Sequence, residues 1–307
     1  MTFEELKKKL MEKDPFTDII GQDDVKSQLK SALLMDRHVI IVGQPGIGKT
    51  TLAKNVAKLL GKDKFVRIQG SPDLTVEDLL GDIDPIKAMK FGPLSVEAFQ
   101  KGKIFKADKG ILFFDELNRC PEKLQNALLQ VLEEGKATIG SYDVDFDIDF
   151  IFIGTMNPED SSTERLSDVL LDRFDIIYMK APETQEIEES IVKEKSLNKV
   201  KVDDKLTGLM VYFVRKLRES QDLERHPSVR ATMGLYERAQ SNALLDKRKE
   251  VIFEDIEKAV ISVISHRIKL KPNIKYLKSN EEFVNEEFKK VVEEKYQEIK
   301  NLKGGDR

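Results

Sequence analysis

The segment of this 307-residue chain with the clearest chemistry spans residues 39–50, VIIVGQPGIGKT. Four of its residues fit the pattern G-x-x-x-x-G-K-[ST], and the helix-compatible run TLAKNVAKLL follows. Glycines allow such a loop to curl until successive backbone N–H groups point at phosphate oxygens, and the following helix adds its positive N-terminal end. Lys49 can then reach the β- and γ-phosphates, and the Thr50 hydroxyl can ligate Mg²⁺. We call residues 43–50 the phosphate loop and expect the phosphates of a nucleotide to bind around it at Gln44, Pro45, Gly46, Ile47, Gly48, Lys49, Thr50 and Thr51.

Two carboxylates, Asp115 and Glu116, directly follow an apolar run in ILFFDELNR. In a parallel sheet, ligands collect beyond the C-terminal ends of the strands, so we expect both carboxylates beside the phosphate loop. Asp115 is suited to holding Mg²⁺, and Glu116 to orienting or deprotonating the attacking water. The alternative is a solvated acid pair at a helix start, where carboxylates suit the helix dipole. The nearby phosphate loop favours the catalytic interpretation.

A third polar position, Asn157, ends the apolar run FIFIGTMNP. Its neutral amide could hydrogen-bond the γ-phosphate or the water without changing the charge of the site. Alternatively, an asparagine at this position simply favours a turn before Pro158.

The order of apolar runs predicts the elements that position these residues. Up to residue 182, the runs HVIIVG, FVRIQ, ILFFDE, DFIFIGTMN and FDIIYM alternate with helix-compatible segments. This alternation predicts an α/β domain, residues 1–182, with a central parallel five-stranded sheet. In residues 183–275, apolar residues recur at intervals of three and four positions, which predicts a smaller all-α domain. Residues 276–307 are highly charged, and we expect an exposed or partner-facing helix with a frayed tail.

Composition narrows the function classes. The net charge of -4 gives no general reason to expect nucleic acid. The single cysteine, Cys120, has no partner for an internal disulfide, so we expect a reducing, cytoplasmic setting and a small filler residue at a helix start. No run of the sequence approaches the roughly 20 apolar residues that a membrane span requires, and no signal peptide is evident.

Taken together, the ordered motifs resemble AAA+ ATPases, within them the MoxR-like and magnesium chelatase I subunit branch. The segments that carry the resemblance are HVIIVGQPGIGKT, RIQGSPDLTVEDLLGD, GKIFKADKGILFFDELNRCPEKLQNALLQVLEEG, TMNPED and LSDVLLDRFD. RIQGSPDL and LNRCPEKLQNALL are more similar to MoxR, whereas GDIDPIKAM and FGPLSVEAFQKG are more similar to the chelatase subunit. The resemblance implies Mg²⁺-dependent ATP hydrolysis and an α/β core followed by a helical lid domain.

The resemblance also implies roles for four residues outside the phosphate loop. Gly21 would line the adenine pocket, and Asn157 would be the first sensor. Arg173 in LLDRFD would be the arginine finger, and Arg230 in HPSVRA the second sensor. A finger acting on the neighbouring subunit implies a homo-oligomeric ring, a hexamer by family likeness. A local salt bridge is the alternative for each arginine.

Two inserted segments bear on the question of what ATP hydrolysis drives in this protein. The segment DIDPIKAMKFGPLSVEAFQKG resembles the helix-2 insert of this branch. In YDVDFDIDFIFIG, four aspartates alternate with larger apolar residues, which predicts a hairpin strand before the first sensor, with one acidic face. Four aspartates would repel phosphates, whereas a DNA channel favours lysine and arginine. A solvated face, a basic protein partner and Ca²⁺ remain open for this ladder.

These patterns favour a remodelling motor, a ring that changes the conformation or metal loading of a client protein. Family likeness suggests a separate protein with a von Willebrand factor A domain as client or adaptor. A DNA-dependent motor or loader is the alternative, supported by the shared ATPase core and the basic clusters DKRKE and HRIKLK. A nucleotide-sensing module without turnover is disfavoured, because a mere binder has little need for the base Glu116.

Overall fold

The computed structural model describes residues 3–12, 14–60, 64–92, 95–138, 145–158 and 166–295. By their contacts these residues divide into two compact units. The first comprises Met1–Gly43 with Gly48–Met179, and the second comprises Gln44–Ile47 with Lys180–Arg307. The predicted division at residues 182 and 275 stays a prediction. No helix in the described ranges is long and apolar enough to cross a membrane.

The first unit alternates helices and strands. In chain order its elements are α1 (Phe3–Glu12), α2 (Asp23–Leu34), β1 (Val39–Val42), α3 (Lys49–Leu60), β2 (Phe65–Gln69), α4 (Val76–Leu80), β3 (Gly81–Ile83), α5 (Pro85–Phe91), β4 (Phe99–Lys101), α6 (Lys103–Lys106), β5 (Gly110–Asp115), α7 (Glu122–Glu134), β6 (Lys136–Thr138), β7 (Asp145–Asp147), β8 (Phe150–Met156), α8 (Asp168–Leu171) and β9 (Asp175–Tyr178). Short 3₁₀ turns cover Val96–Ala98 and Leu117–Arg119.

The central sheet has five parallel strands in the order β2-β5-β8-β1-β9. The prediction of a parallel five-stranded sheet from the five apolar runs is therefore confirmed. Strands β1 and β5 are buried along their whole length, and β8 is buried in all but its last residue. Burial on both faces explains why these runs are continuously apolar rather than alternating. Because all strands are parallel, the residues that follow β1, β5 and β8 meet at one edge.

The long segment before β5 forms an antiparallel hairpin, β3 with β4, that carries α5 between its strands. Phe99 at the start of β4 packs on Phe105 and Phe146, with ring centroids 5.6 and 5.8 Å away. None of the side chains of α5 is buried, and Ile86 and Met89 are 80% and 91% exposed. The insert is thus anchored at its base by aromatic packing and exposes an apolar helix.

The predicted acidic hairpin is partly described. Strand β7 pairs antiparallel with β6, while Tyr142, Asp143 and Val144 lie outside the described residues. Over residues 146–150 the apolar side chains turn inward or partly inward, and Asp147 and Asp149 are exposed. This part of the segment follows the predicted alternation. Asp149 is not purely solvated, because it pairs with Lys109 at 3.1 Å.

The second unit is helical. Its elements are α9 (Gln185–Lys195), α10 (Asp204–Glu219), β10 (Leu223–Arg225), α11 (Val229–Leu245), α12 (Phe253–Ile264), β11 (Lys269–Leu270), α13 (Pro272–Lys275) and α14 (Asn280–Glu294), with a 3₁₀ turn at Ser265–Arg267. Strands β10 and β11 pair as a short antiparallel ribbon that the sequence did not predict. The remainder agrees with the predicted helical lid.

Helix α14 differs from the expectation of an exposed or partner-facing helix. Its side chains Phe283, Val284, Phe288 and Val291 are buried in the core of the second unit. Phe288 lies 5.1 Å from Phe213 between ring centroids. The spacing of these four residues places them on one face, so the high charge of the segment belongs to the opposite face only. Residues 296–307, the predicted tail, lie outside the described ranges.

Candidate functional site

The phosphate loop joins the end of β1 to the start of α3. Gly43 N–H donates to the carbonyl of Met156 at 3.2 Å, which ties the loop to the end of β8. Gly46 and Gly48 have φ angles of 82° and 106°, in the region that glycine adopts without strain. Lys49 is buried, and its ammonium group donates to the carbonyl of Gly43. The loop therefore already has the curled form that its glycines predict.

The segment that carries Gly21 approaches the end of this loop. A Cβ built on Gly48 would lie 3.4 Å from Ile19 Cδ1 and 3.4 Å from Met179 Cε. Gly21 and Gln22 both have left-handed φ angles, 67° and 61°, just before α2. The apolar side chains of Ile19 and Met179 thus lie next to Gly48, and Ile19 is two residues from Gly21. The role of Gly21 itself stays a prediction.

Asp115 ends β5 and receives hydrogen bonds from three side chains. Thr50 Oγ1 lies 3.2 Å from each carboxylate oxygen, Thr155 Oγ1 donates to Oδ1 at 2.6 Å, and Arg67 Nη2 donates to Oδ2 at 2.7 Å. The carboxylate is buried, so these bonds fix its orientation. Hard oxygen donors from a hydroxyl and a carboxylate, side by side at a phosphate loop, fit the ligand preference of Mg²⁺.

Glu116 follows in a left-handed backbone conformation with φ 57°. Its N–H donates to Thr155 Oγ1 at 2.9 Å, and its Oε2 accepts from Gln69 Nε2 at 3.0 Å. Arg119 Nη1 lies 3.2 Å from the same oxygen. Thr155 therefore links the carboxylate of Asp115 to the backbone of Glu116, since its hydroxyl donates to the first and accepts from the N–H of the second. The side chain of Glu116 is 38% exposed, so it can reach a water molecule.

Asn157 follows β8 at the same edge of the sheet. Its carbonyl accepts a hydrogen bond from Asn118 Nδ2 at 2.9 Å. Asn118 is buried, and within the described ranges its own Oδ1 accepts no hydrogen bond. A buried acceptor is normally paired, so a donor at this edge of the sheet would be stabilised by Oδ1. The structure thus brings the phosphate loop, Asp115, Glu116 and Asn157 to one edge, as the parallel sheet predicts.

Arg173 lies just after α8 and contacts carboxylates. Its Nη2 is 2.7 Å from Glu133 of α7, and its Nη1 is 3.6 Å from Asp172. The neighbour Asp175 pairs instead with Arg37 at 2.9 Å. The local salt bridge considered from the sequence is therefore present in part, with Glu133 as an additional partner that sequence proximity could not reveal.

Arg230 lies in the first turn of α11 in the second unit, to which loop residues Gln44–Ile47 also belong by contacts. A Cβ built on Gly46 would lie 2.8 Å from Arg230 Cγ and Cδ and 2.9 Å from Ser228 Oγ. The start of α11 thus lies in close contact with Gly46 within the second unit. The guanidinium of Arg230 is predicted to contact phosphate, and this role stays a prediction.

Three contributors to the site were missed in the sequence: Arg67, Gln69 and Thr155. Arg67 and Gln69 alternate on β2 and therefore share a face, which is the signal that could have identified them. Thr155 is the polar residue of an otherwise apolar run. The strand register places Gly154 opposite Phe114, so the residues that follow them, Thr155 and Asp115, lie close together. A buried polar residue within an apolar strand was the available clue.

Cys120 takes no part in the site. It is buried between the Leu117–Arg119 turn and α7, as the filler interpretation predicts. Burial raises the pKa of its thiol to about 11, so the thiolate is scarce at neutral pH. The cytoplasmic location inferred from this single cysteine stays a prediction.

Comparison with known protein families identifies both units. A family model described as AAA domain (dynein-related subfamily) matches residues 38–174. A second model, described as AAA lid domain, matches residues 215–287. The first match covers the phosphate loop, both carboxylates, Asn157 and Arg173, and the second begins at Arg215 and includes Arg230.

Relatives extend along most of the chain. The chain is 31% identical over 283 residues to uncharacterized protein YeaC of Bacillus subtilis, covering 84% of this chain and 85% of that protein. It is 28% identical over 290 residues to chaperone MoxR1 of Mycobacterium tuberculosis, covering 82% and 73%. It is 26% identical over 312 residues to magnesium-chelatase subunit ChlI of Olisthodiscus luteus, covering 84% and 91%.

Proposed function

The chain belongs to the AAA+ ATPases, in the branch of MoxR-like and magnesium-chelatase I proteins, and we propose that it hydrolyses ATP with Mg²⁺ in a homo-oligomeric ring. The observation that carries this proposal is the group formed by Thr50, Asp115 and Thr155 beside the phosphate loop. In this group the Thr50 hydroxyl and the Asp115 carboxylate are candidate ligands for Mg²⁺, and Thr155 connects Asp115 to the candidate base Glu116. The group lies at the edge where parallel-sheet proteins bind ligands.

Each of these residues has a distinct task in the proposal. Lys49 and the loop N–H groups bind the phosphates, and Thr50 and Asp115 would hold Mg²⁺. When bound there, Mg²⁺ would stabilise charge on the phosphoryl oxygens as a Lewis acid. Glu116 orients the attacking water and accepts its proton.

The contacts of Glu116 with Gln69 and Arg119 keep its carboxylate at the edge of the sheet, within reach of that water. Asn157 adds a neutral hydrogen-bonding group at the same edge. Arg173 acts on the ATP of the neighbouring subunit, and Arg230 contacts the phosphates from within its own subunit. A planar guanidinium suits both positions because it stabilises charge that is spread over phosphoryl oxygens.

The ring is tested by the dependence of turnover on protein concentration. If active sites are completed by a neighbour, ATP turnover per subunit rises cooperatively with concentration and reaches a plateau with assembly. The Glu116→Gln protein provides the inactive reference for the assay. Glu122 is exposed, and Glu122→Gln is a matched control that should retain full turnover. Turnover per subunit that stays constant from dilute to concentrated protein would count against the ring, and light scattering of the same samples measures the subunit number, for which we propose six.

We further propose that the ring remodels a protein client, with a von Willebrand factor A domain protein as client or adaptor. Two features of the first unit support a protein rather than DNA. Asp147 and Asp149 present carboxylates on the hairpin, and α5 exposes Ile86 and Met89, which suit apolar contacts. A pull-down from the native cell with the Glu116→Gln protein tests this. Repeated failure to recover a protein with such a domain would contradict the client assignment.

A DNA-dependent motor is the less favoured proposal. Of the basic cluster DKRKE, Arg248 is already paired with Asp255 at 2.6 Å and Asp246 at 3.0 Å, so it stabilises the fold of the second unit. ATP turnover measured at low salt with and without DNA decides between the two, because phosphate contacts are strongest there. Stimulation by DNA would favour the motor, and unchanged turnover would remove it.

A further inference from the structure

A buried ionic network lies in the second unit and is centred on Glu188 of α9. The carboxylate is fully buried and accepts from Arg218 through two bonds of 2.9 and 3.0 Å. Thr232 Oγ1 donates to it at 2.8 Å, and Arg215 Nη1 approaches within 3.4 Å. A buried carboxylate is tolerated only when its charge and lone pairs are satisfied, and this one is satisfied by three side chains from two other helices, α10 and α11.

Two of these partners fix the start of α11. Arg218 uses its remaining Nε–H to donate to the carbonyl of Pro227 at 3.1 Å. Thr232 lies in the first turns of α11 itself. Between them lies Ser228, the residue that precedes the helix, and its side chain makes no capping hydrogen bond. The start of α11 is therefore held by Glu188 directly, at Thr232, and through Arg218 at Pro227, rather than by a side-chain cap of its own.

The third partner reaches the segment where the second unit begins. Arg215 donates to the carbonyls of Pro182 at 2.9 Å, Glu183 at 3.0 Å and Thr184 at 3.3 Å. A single guanidinium thus holds three successive carbonyls and also contacts Glu188. The same carboxylate is consequently connected both to residues 182–184 and to the start of α11.

Two residues at the start of α11 lie against Gly46, within the second unit. They are Ser228 and Arg230, so a shift of this helix start would move both relative to Gly46. We propose that Glu188 is a positioning residue for nucleotide binding: through Arg218 and Thr232 it sets where Arg230 lies, and through Arg215 it couples that position to residues 182–184. The inference rests on the proposed contact of Arg230 with phosphate.

The test is Glu188→Gln, which preserves shape and removes the charge that orients both arginines. The expected result is a dissociation constant for ATP raised by about tenfold, the size of effect of a weakened charge-assisted hydrogen bond. A fluorescent ATP analogue measures the affinity and thermal unfolding measures stability.

The matched control is Asp255→Asn. Asp255 is equally buried and forms a bidentate pair with Arg248, at 2.7 and 2.6 Å. Arg248 lies beyond the other end of α11, whose last residue, Leu245, is roughly 20 Å along the helix axis from Thr232 at 1.5 Å per residue. Both substitutions should lower the melting temperature, and only Glu188→Gln should weaken ATP binding. Equal weakening in both variants would overturn the inference.

A second variant, Arg218→Lys, keeps a positive charge beside Glu188 but cannot also donate to Pro227. It should weaken ATP binding in the same direction, and it keeps the test decisive if Glu188→Gln fails to fold. If Arg218→Lys leaves the affinity for ATP unchanged while Arg230→Ala weakens it, the positioning role of Glu188 is overturned, and the proposed contact of Arg230 with phosphate still stands.

A double-mutant cycle separates this inference from the proposed function. If Glu188 acts through Arg230, the double variant binds ATP no more weakly than Arg230→Ala, whereas additive losses would indicate independent effects and overturn the inference. If Arg230→Ala itself leaves ATP affinity unchanged, the proposed role of Arg230 fails, and the positioning role of Glu188 fails with it.

Discussion

Arg173 provides the sharpest test of a shared active site. If it completes the site of a neighbour, Arg173→Ala should bind ATP normally and lose most turnover, because the guanidinium stabilises charge that develops only during phosphoryl transfer. The loss should be about 10³-fold or more, the range of arginine fingers in phosphoryl-transfer enzymes.

The structure limits how much of a change in turnover could come from losing the salt bridge between Arg173 and Glu133 rather than from losing an arginine finger. Arg173 and Glu133, whose side chains are 33% and 53% exposed, form a surface pair, and such pairs contribute about 0.2–1 kcal/mol. Release of the guanidinium from Glu133 therefore changes a rate by about fivefold at most. Glu133→Gln is accordingly the matched control, and its turnover should stay within that factor of the unmodified protein.

Mixed rings locate the arginine. Arg173→Ala and Glu116→Gln proteins are each inactive alone, but in a mixed ring the first keeps its base and the second keeps its arginine. In a randomly assembled equal mixture, about a quarter of the sites combine an intact Glu116 with an intact Arg173 from the neighbour. ATP turnover of the mixture, measured by phosphate release after co-assembly, should thus return to roughly that fraction.

Two outcomes would refute this reasoning. Arg173→Ala protein with normal turnover would show that the guanidinium does not act in catalysis. A mixture that stays inactive, although differently tagged subunits co-purify as mixed rings, would show that Arg173 does not complete a neighbouring site.

Further predictions concern the metal site, the loop and the cysteine. Arg67→Met should lower the Mg²⁺ concentration for half-maximal turnover by about fivefold, because Asp115 loses a partly exposed cation worth about 1 kcal/mol; a higher requirement in a Mg²⁺ titration would contradict this. Gly46→Ala should raise the dissociation constant for ATP by at least about tenfold with unchanged circular dichroism, since its φ of 82° and the side chain of Arg230 leave no room for a methyl group; normal affinity would refute this. Cys120, whose pKa burial raises to about 11, should be alkylated by iodoacetamide at pH 8 at least about a hundredfold more slowly in the folded than in the unfolded protein, as followed by mass spectrometry, and equal rates would contradict it.

The chemistry of the candidate site could be predicted from the sequence because its signals are local. The loop pattern around Lys49 and the acid pair after an apolar run each lie within a few residues. Parallel strands then bring these segments to the same edge, whatever the details of the helices. For this reason the sequence predicts that the phosphate loop, Asp115, Glu116 and Asn157 lie at one edge of the sheet, whereas their catalytic roles stay predictions.

Pairings across the chain were beyond the sequence because they depend on register and packing. Thr155 meets Asp115 only through the alignment of β5 with β8, and Glu133 reaches Arg173 across 40 positions. The charged segment of α14 was expected to be exposed, yet one apolar residue in every three or four was sufficient to bury a face of it.

Short-range patterns along the chain specify strands, turns and ligand chemistry, so the family, the parallel sheet and the residue types at the phosphate edge could be inferred from them. The side chains that orient Asp115 and Glu116, and the link that Glu188 makes between residues 182–184 and the start of α11, became apparent only in the folded chain. The physical reason is that a buried charge is stabilised by partners from distant segments, and those partners become neighbours only when the chain has folded.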